Sequence, residues 1–345
     1  MARSLALGVD IGGSKVAAGL VNSEGHILSK TRLPMVTTGT AADGFAAVTG
    51  AVDAVLLANL DLRESLLGIG VCSPGPLDPR MGVVINPPNL PCWRDFPLAA
   101  KVRRAFGFDV RVDNDANAAA LAEAVWGVGV GHQSIFYATL GTGIGTGIVF
   151  EQRIYHGRTG SAAEGGHVTI DYRGPQCACG KRGCIEALAS GTALAQRARQ
   201  RVAEAQLKGS PPRAAASSEL FALASRPAEA ITAETVERAH LDGDPIATEL
   251  LAETAEYLAI WLGSIIDLLE PDLIVIGGGM SKVMEPWFEQ IRDRLPAWCL
   301  NQRCLEIPLR RAVYGEDAGL AGAAALWHQP DQAPRSSVGS PRGAL

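Results

Sequence analysis

Three cysteines and a histidine lie close together near the middle of the sequence. Cys177, Cys179 and Cys184 fall within eight residues, and His167 precedes them by one short segment. Three thiolates and an imidazole suit a closed tetrahedral zinc site, which leaves no position for a reactive water. The sequence therefore predicts a structural zinc site, with a disulfide or scattered free thiols as the alternative. Reducing cytosol, the expected compartment of an acidic chain without a secretory signal, favours the metal.

A second polar cluster, Asp113-Asn114-Asp115-Ala116-Asn117, ends a predicted strand and begins a predicted helix. One of these residues is expected to cap the helix, since Asn and Asp are favoured at that position. A cap needs one residue, however, and four short polar side chains stand together here. A carboxylate at this place could accept the proton of a hydroxyl that attacks a phosphoryl group.

Two further acids flank the cysteine segment. Glu164 lies three residues before His167, and Glu186 follows Cys184 closely. Paired carboxylate acceptors suit a ligand with several hydroxyl groups. The alternative is that both are ordinary surface acids.

Three glycine-rich turns each follow a predicted buried strand. They are Asp10-Ile-Gly-Gly-Ser-Lys15, Leu140-Gly-Thr-Gly-Ile-Gly-Thr-Gly147 and Gly277-Gly-Gly-Met280. Backbone without Cβ atoms can approach a ligand closely and direct N–H groups at phosphate oxygens. None of the turns has P-loop or dinucleotide-binding spacing. Each alone is typical of a hairpin, but the three together indicate a polyphosphate ligand.

Two charged residues belong to the first of these turns. Asp10 ends a predicted strand beside the glycines and suits hydrated Mg²⁺, although Asp also commonly starts turns. Lys15 either neutralises phosphate or is a solvated strand residue.

Composition limits the class of protein. The 345 residues are 47% hydrophobic, and 31 basic residues against 36 acidic ones give a net charge of −5. This near balance gives no indication of nucleic acid or an anionic membrane as a main partner. The N-terminus has no secretory apolar segment, and no apolar run reaches a spanning length. We expect a soluble cytoplasmic protein.

The predicted elements form two successive sets, each beginning with strands whose turns carry glycines. This order predicts two related α/β halves with a cleft between them. The second set includes one long helix over Ile185–Ala205 and a surface linker from Lys208. The Pro/Ser/Gly-rich segment Gln329–Leu345 is expected to be disordered.

These segments together resemble the ROK family of sugar kinases, from Leu7 to about Trp327. The matching motifs are the first glycine turn, Val112-Asp-Asn-Asp-Ala-Asn117, Leu140-Gly-Thr-Gly-Ile-Gly, Glu164-Gly-Gly-His167, Cys177-x-Cys179-Gly-x-x-Gly-Cys184-x-Glu186 and Gly277-Gly-Gly. Ser14 stands where the family usually has Thr, and Gly165 where a larger apolar residue is usual. Asn89-Leu90, followed by Trp93, resembles the sugar-binding loop with looser spacing.

The resemblance implies a two-lobed actin-like ATPase (ribonuclease H-like) fold and ATP-dependent phosphorylation of a hexose at its 6-hydroxyl. Asp115 would be the catalytic base. The sugar would be held by Asn89, Asn114, Asp115, Glu164, His167 and Glu186. ATP and Mg²⁺ would be held by Asp10, Gly12, Gly13, Ser14, Lys15, Thr142, Gly143, Gly278 and Gly279. His167 would bind zinc through one ring nitrogen and sugar through the other.

The expected domains are residues 1–118, completed by a C-terminal helix over 318–328, and residues 119–317 with the zinc loop 167–186. Glucose is the favoured substrate, with N-acetylmannosamine or N-acetylglucosamine as the alternative. A sugar-responsive regulator is a remote alternative, because nine residues before Asp10 are too few for a DNA-binding domain. The family implies a homo-oligomer, a dimer or a tetramer.

Overall fold

The computed structural model describes residues 4–207, 220–221 and 231–329. Its strands are β1 Leu5–Ile11, β2 Lys15–Val21, β3 Ile27–Pro34, β4 Leu66–Ser73, β5 Leu77–Asp78, β6 Val83–Val84, β7 Val110–Asn114, β8 Ser134–Leu140, β9 Ile144–Phe150, β10 Arg153–Ile154, β11 Leu273–Gly277 and β12 Leu309–Arg311. The helices are α1 Ala41–Ala58, α2 Leu98–Phe106, α3 Asp115–Val125, α4 Ile185–Ala189, α5 Gly191–Leu207, α6 Ala233–Leu241, α7 Pro245–Leu269, α8 Met280–Met284, α9 Phe288–Arg294 and α10 Ala318–Ala325.

Two mixed sheets with the same plan organise the chain. The first has the order β3-β2-β1-β4-β7 and the second the order β10-β9-β8-β11-β12. The first three strands of each sheet along the chain form an antiparallel meander, β1 to β3 in the first sheet and β8 to β10 in the second. Two later strands then add in parallel, β4 and β7 in the first sheet and β11 and β12 in the second. The predicted α/β architecture with two related halves is confirmed.

Glycines allow α10 to pack very closely on the first sheet. A Cβ on Gly8 of β1 would lie 2.1 Å from the carbonyl oxygen of Leu320, and one on Gly70 of β4 would lie 1.7 Å from that of Ala323. On its other side α10 meets α3, where a Cβ on Gly322 would lie 2.1 Å from the Ala118 oxygen. A larger side chain at Gly8 or Gly70 would separate α10 from the strands, and one at Gly322 would separate it from α3. The last described helix therefore belongs with the first sheet, and α3 lies between it and β9.

Each sheet has its own apolar core. Trp93 is buried in the first, and Phe136 packs edge-on against buried Trp261 in the second. Among the described helices, α1 alone is long and apolar enough to cross a membrane by length and composition. Its buried face, which includes Val48 and Val52, packs in the first core. Helix α1 therefore packs against the first sheet.

The prediction of one helix over Ile185–Ala205 is wrong. The segment forms two helices, α4 and α5, separated at Ser190. The Ser190 hydroxyl accepts a hydrogen bond from the Ala193 amide, and the Gly191 amide donates to the Gly141 carbonyl at 2.8 Å. A contact with the second glycine turn therefore ends α4. The predicted linker at Lys208 and residues 330–345 of the predicted tail lie outside the described residues.

A buried carboxylate ties α3 to the segment before α10. Glu123 has no exposed surface. One of its oxygens accepts the amides of Val313 and Tyr314 at 2.9 and 3.2 Å, and the other accepts that of Val128 at 3.1 Å. Burial raises the pKa of Glu123, and these backbone hydrogen bonds oppose the rise. The side chain thus satisfies three amides that would otherwise lack acceptors.

Replacing Glu123 by Ala should lower the free energy of unfolding by about 1–3 kcal/mol, because it leaves three backbone amides without their acceptor. Urea denaturation followed by circular dichroism would measure the change. Glu24→Ala, at a side chain that is 72% exposed, is the control and should have little effect. Equal stability of the two variants would contradict the bracing role.

Candidate functional site

Three neighbouring parallel strands of the first sheet bring acids to one edge. Asp10 of β1 is opposite Cys72 of β4, which is opposite Asp113 of β7. The buried Cys72 sulfur lies 3.3 Å from both the Asp10 carboxylate and the Gly319 carbonyl oxygen, and its single S–H can donate to either of them. Burial raises the pKa of Cys72 strongly, and the charges of Asp10 and Asp115 raise it further. This thiol is therefore protonated and can donate to the Asp10 carboxylate.

Asp115 is the first residue of α3, directly after β7. Burial raises the pKa of its carboxyl to about 6, and the charge of Asp10 adds to the rise. The Ala116 amide donates to Oδ1 at 2.8 Å and opposes it. A carboxylate with this pKa is ionised at pH 7 yet more basic than an exposed Asp. It is suited to accept a proton from a bound hydroxyl.

The helix cap anticipated in this segment is Asn114. Its Oδ1 accepts hydrogen bonds from the amides of Ala116 and Asn117. The Nδ2 group lies on the side of Gly75, where a Cβ would be 3.5 Å away. The oxygen of Asn114 is thus committed to the helix, and its amide nitrogen remains available as a donor.

A pocket between the two sheets contains Asp115. Its lining from the first half is Gly75, Pro76, Leu77, Asn114, Asp115 and Asn117. Its lining from the second half is Gly145, Thr146, Gly160, Ser161, Ala162, Ala163 and Glu164. The structure therefore brings together Asn114, Asp115 and Glu164 of the predicted sugar-binding residues.

Hydrogen bonds fix the segment that carries Glu164. The Thr146 hydroxyl donates to the Ala163 carbonyl and accepts the Gly165 amide. The Trp261 indole donates to the Gly165 carbonyl at 3.1 Å. The small Gly165 is needed here, because a Cβ would lie 2.8 Å from the Thr146 hydroxyl oxygen. Close packing on β9 thus accounts for a glycine at a position where the family usually has a larger residue.

The second and third glycine turns touch each other. Gly278 has a φ of 81°, and a Cβ there would lie 2.3 Å from the Leu140 carbonyl oxygen. In the second turn, the Ile144 amide donates to Glu186 Oε2 at 2.9 Å, and Gly143 leaves space for that carboxylate. The predicted ATP residues Thr142, Gly143, Gly278 and Gly279 therefore lie in adjoining turns.

The first glycine turn lies at the end of β1. Burial raises the pKa of Asp10, while the Cys72 hydrogen bond and the charge of exposed Lys15 oppose the rise. Gly12 donates its amide to the Lys15 carbonyl, so Gly12, Gly13 and Ser14 form a tight connection to β2. Asn89 lies beside this turn, where its carbonyl oxygen would be 3.3 Å from a Cβ on Gly13. It is outside the lining of the pocket described above.

The cysteine segment forms a compact cluster with His167. The ligand atoms of His167, Cys177, Cys179 and Cys184 all lie within 4.8 Å of one another. Cys177 Sγ is 3.7 Å from His167 Nδ1, and the Cys179 and Cys184 sulfurs are also 3.7 Å apart. These are close to the edges of a tetrahedron with metal–sulfur bonds of about 2.3 Å. All the cysteines are free thiols, so the disulfide alternative is wrong.

Glu186 connects this cluster to the second glycine turn. Its Oε1 lies 3.8 Å from both His167 Nδ1 and Cys177 Sγ, while its Oε2 accepts the Ile144 amide. Neither His167 nor Glu186 lines the pocket at Asp115. The cluster therefore holds Glu186 in a fixed position against the turn.

One polar side chain at the site was not predicted from the sequence. His156 follows β10, and its Nε2 lies 2.6 Å from Oδ2 of Asp113. Asp113 also accepts the side-chain amide of Asn117 at 3.0 Å and the backbone amide of Asn114 at 2.8 Å. A lone histidine after a hairpin carries no spacing signal that would have indicated this contact.

The chain is similar to known proteins over nearly its whole length. The model of the ROK family matches residues 6–330. Glucokinases from Streptomyces coelicolor and Thermotoga maritima are 35% and 34% identical over 330 and 321 residues, covering 95% and 93% of this chain and 98% and 96% of theirs. The crystal structure of a ROK family glucokinase from Streptomyces griseus in complex with glucose and AMPPNP has a TM-score of 0.75 and 36% identity, covering 93% of this chain and 98% of that one.

Proposed function

The chain belongs to the ROK family, and we propose that it is an ATP-dependent kinase that phosphorylates glucose at the 6-hydroxyl. The observation that carries this proposal is the half-buried Asp115 in a pocket between two lobes, with its pKa raised to about 6. The similarity to glucokinases extends over nearly the whole of both chains, which supports the same reaction here.

In the proposed reaction, Asp115 accepts the proton of the sugar hydroxyl as that oxygen attacks the γ-phosphate of ATP. Positioning and electrostatic stabilisation provide most of the catalysis in phosphoryl transfer. The three glycine turns would hold the nucleotide through Gly12, Gly13, Ser14, Lys15, Thr142, Gly143, Gly278 and Gly279. Asp10 would hold Mg²⁺, which neutralises charge on the phosphates when bound. Closure of the lobes would exclude water from the transferred group.

The sugar would lie in the pocket beside Asp115. Asn114 can donate through its amide nitrogen, and Glu164 can accept from hydroxyl groups. Asn89, His167 and Glu186 do not line this pocket. They would contact the sugar only if the sugar extends beyond the pocket or if the two lobes move closer together. The similar Streptomyces griseus glucokinase was crystallised in complex with glucose, which supports glucose as the ligand of this pocket.

A structural zinc ion would complete the cluster of His167, Cys177, Cys179 and Cys184. Three thiolates and one imidazole are a common donor set for tetrahedral zinc, and the distances between the ligand atoms suit it. The ion would order a segment rich in glycine and thereby fix Glu186. It would have no direct part in phosphoryl transfer, because all four positions are filled by protein.

We expect the protein to form a dimer or a tetramer in the cytoplasm. Light scattering in solution would measure the oligomeric state.

The proposed boundary between the two domains lies between residues 118 and 119. This position falls within α3, which contacts both sheets.

Kinetic comparison of sugars tests the proposed substrate. We expect kcat/KM for glucose to exceed that for N-acetylglucosamine and N-acetylmannosamine by at least about tenfold, a difference of roughly 1.4 kcal/mol. A coupled assay of ADP release would measure it, with 6-deoxyglucose as a control that lacks the acceptor hydroxyl. A higher kcat/KM for an N-acetylhexosamine would show that this sugar, and not glucose, is the preferred substrate. Absence of sugar-dependent turnover would favour a sugar-binding regulator.

Substitution of Asp115 by Asn separates catalysis from folding. Loss of the base should lower kcat by a factor on the order of 10³ while ATP binding changes little. A carboxyl whose folded pKa is raised stabilises the protein at low pH and loses that contribution as the pH rises through about 6. Removing the charge should therefore increase stability at pH 7 by on the order of 1–3 kcal/mol.

The control is Asp109→Asn, at a side chain that is 74% exposed. It should leave both kcat and the unfolding free energy near wild type. Calorimetric binding of an ATP analogue and urea denaturation at pH 7 supply the two further readouts. A kcat near wild type in Asp115→Asn would exclude Asp115 as the base.

Replacing Cys179 by Ser should remove bound zinc and lower the thermal stability together. Loss of one thiolate weakens the tetrahedral site, whose metal contributes directly to folding. Elemental analysis of the purified protein and calorimetry measure the two quantities. Cys92→Ser, at a thiol outside the cluster, is the matched control and should keep its metal. Unchanged zinc content in Cys179→Ser would refute the site.

A further inference from the structure

The carboxylate of Asp113 is buried and fully paired. It is 3% exposed, and it accepts the Asn114 amide and the Asn117 side chain on Oδ1 and faces His156 Nε2 on Oδ2. Because a carboxylate can only accept, His156 Nε2 carries the proton and donates it across 2.6 Å. Charge-assisted hydrogen bonds of this length are stronger than neutral ones.

This hydrogen bond joins the two halves of the protein. Asp113 is the residue before the last of β7 in the first sheet, two positions before Asp115, whereas His156 follows β10 of the second sheet. The side chain of His156 is 18% exposed and that of Asp113 is 4% exposed. Solvent therefore competes little for either group, and the bond fixes the second half against the strand that carries Asp115.

The backbone of His156 also organises the pocket loop, residues 157–164. Its carbonyl accepts the amides of Gly160 and Ala162 at 3.1 and 3.3 Å. The residues from Gly160 to Glu164 line the pocket. His156 thus holds the pocket loop through its main-chain carbonyl and contacts the first sheet through its imidazole.

The pocket loop rests on the first half at a second place. A Cβ on Gly160 would lie 2.7 Å from Pro79, and the Arg80 guanidinium donates to the Gly157 carbonyl at 3.4 Å. The Arg80 contact is long and exposed, so it restrains the loop weakly. The short, buried pair of His156 and Asp113 is the stronger restraint.

We propose that His156 and Asp113 are positioning residues that hold the pocket loop, with Glu164, at a fixed distance from Asp115. This inference rests on the proposed function, since it assigns the loop to sugar binding. Neither residue lines the pocket, so neither is assigned a direct contact with the sugar. Their effect is to set the place of the sugar hydroxyls relative to the base.

The test compares His156→Ala with His156→Gln in the full-length protein. In His156→Ala, KM for glucose should rise about tenfold or more, while KM for ATP stays within about twofold. Gln places an amide nitrogen at similar reach and can donate to Asp113, so His156→Gln should recover most of the loss. Steady-state kinetics with each substrate varied in turn measure both constants.

The matched control is His240→Ala. His240 Nδ1 lies 2.8 Å from the Thr248 hydroxyl, a hydrogen bond between α6 and α7, and neither residue lines the pocket. This variant can lose thermal stability, but its KM for glucose should stay near wild type. A purely structural role for His156 would produce the same behaviour as His240→Ala and would overturn the proposal.

A double variant separates this inference from the proposed function. If both residues act through one hydrogen bond, His156→Ala combined with Asp113→Asn should raise KM for glucose no further than the more severe single variant. Additive increases in KM for glucose, or no recovery in His156→Gln, would contradict the proposal that His156 and Asp113 act through one hydrogen bond.

Lack of sugar phosphorylation by the wild-type protein would instead refute the proposed function. Calorimetric measurement of glucose binding by the wild type and by His156→Ala would then decide whether His156 positions the pocket loop.

Discussion

Burial of carboxylates at the ends of neighbouring parallel strands is the constraint on which the site depends. Asp113 accepts three hydrogen bonds, which occupy both of its oxygens, whereas Asp115 lines the pocket. Burial and the charge of Asp10 raise the pKa of Asp115 to about 6. The same edge of the sheet thus places an acid whose oxygens are already paired beside one that can accept a proton.

Close packing by small residues makes this arrangement possible. Helix α3 begins at Asp115 and contains Glu123 two turns later, so it is fixed at the pocket and again at the segment before α10. Gly147 of β9 allows the strand to approach α3, because a Cβ there would lie 2.7 Å from the Ala116 carbonyl oxygen. Shifts of α3 would move the base relative to both lobes.

The sequence was sufficient for features that depend on local spacing. The Cys177–Cys184 segment indicated the cluster of thiols that forms with His167, and four short polar side chains close together marked the start of α3. Features created by tertiary contacts were not predictable in this way. The break at Ser190 depends on a hydrogen bond from Gly191 to Gly141, and the pair of His156 and Asp113 joins residues 43 positions apart in different halves of the chain. Neither contact is indicated by a periodicity or a motif in the sequence.

A crystal structure of the protein with glucose and a non-hydrolysable ATP analogue would test the central claim most directly. A carboxylate oxygen of Asp115 should lie about 2.6–3.2 Å from the 6-hydroxyl of the sugar, on the side facing the terminal phosphate. A sugar bound elsewhere, or one whose 6-hydroxyl is out of reach of Asp115 in the closed complex, would contradict the account.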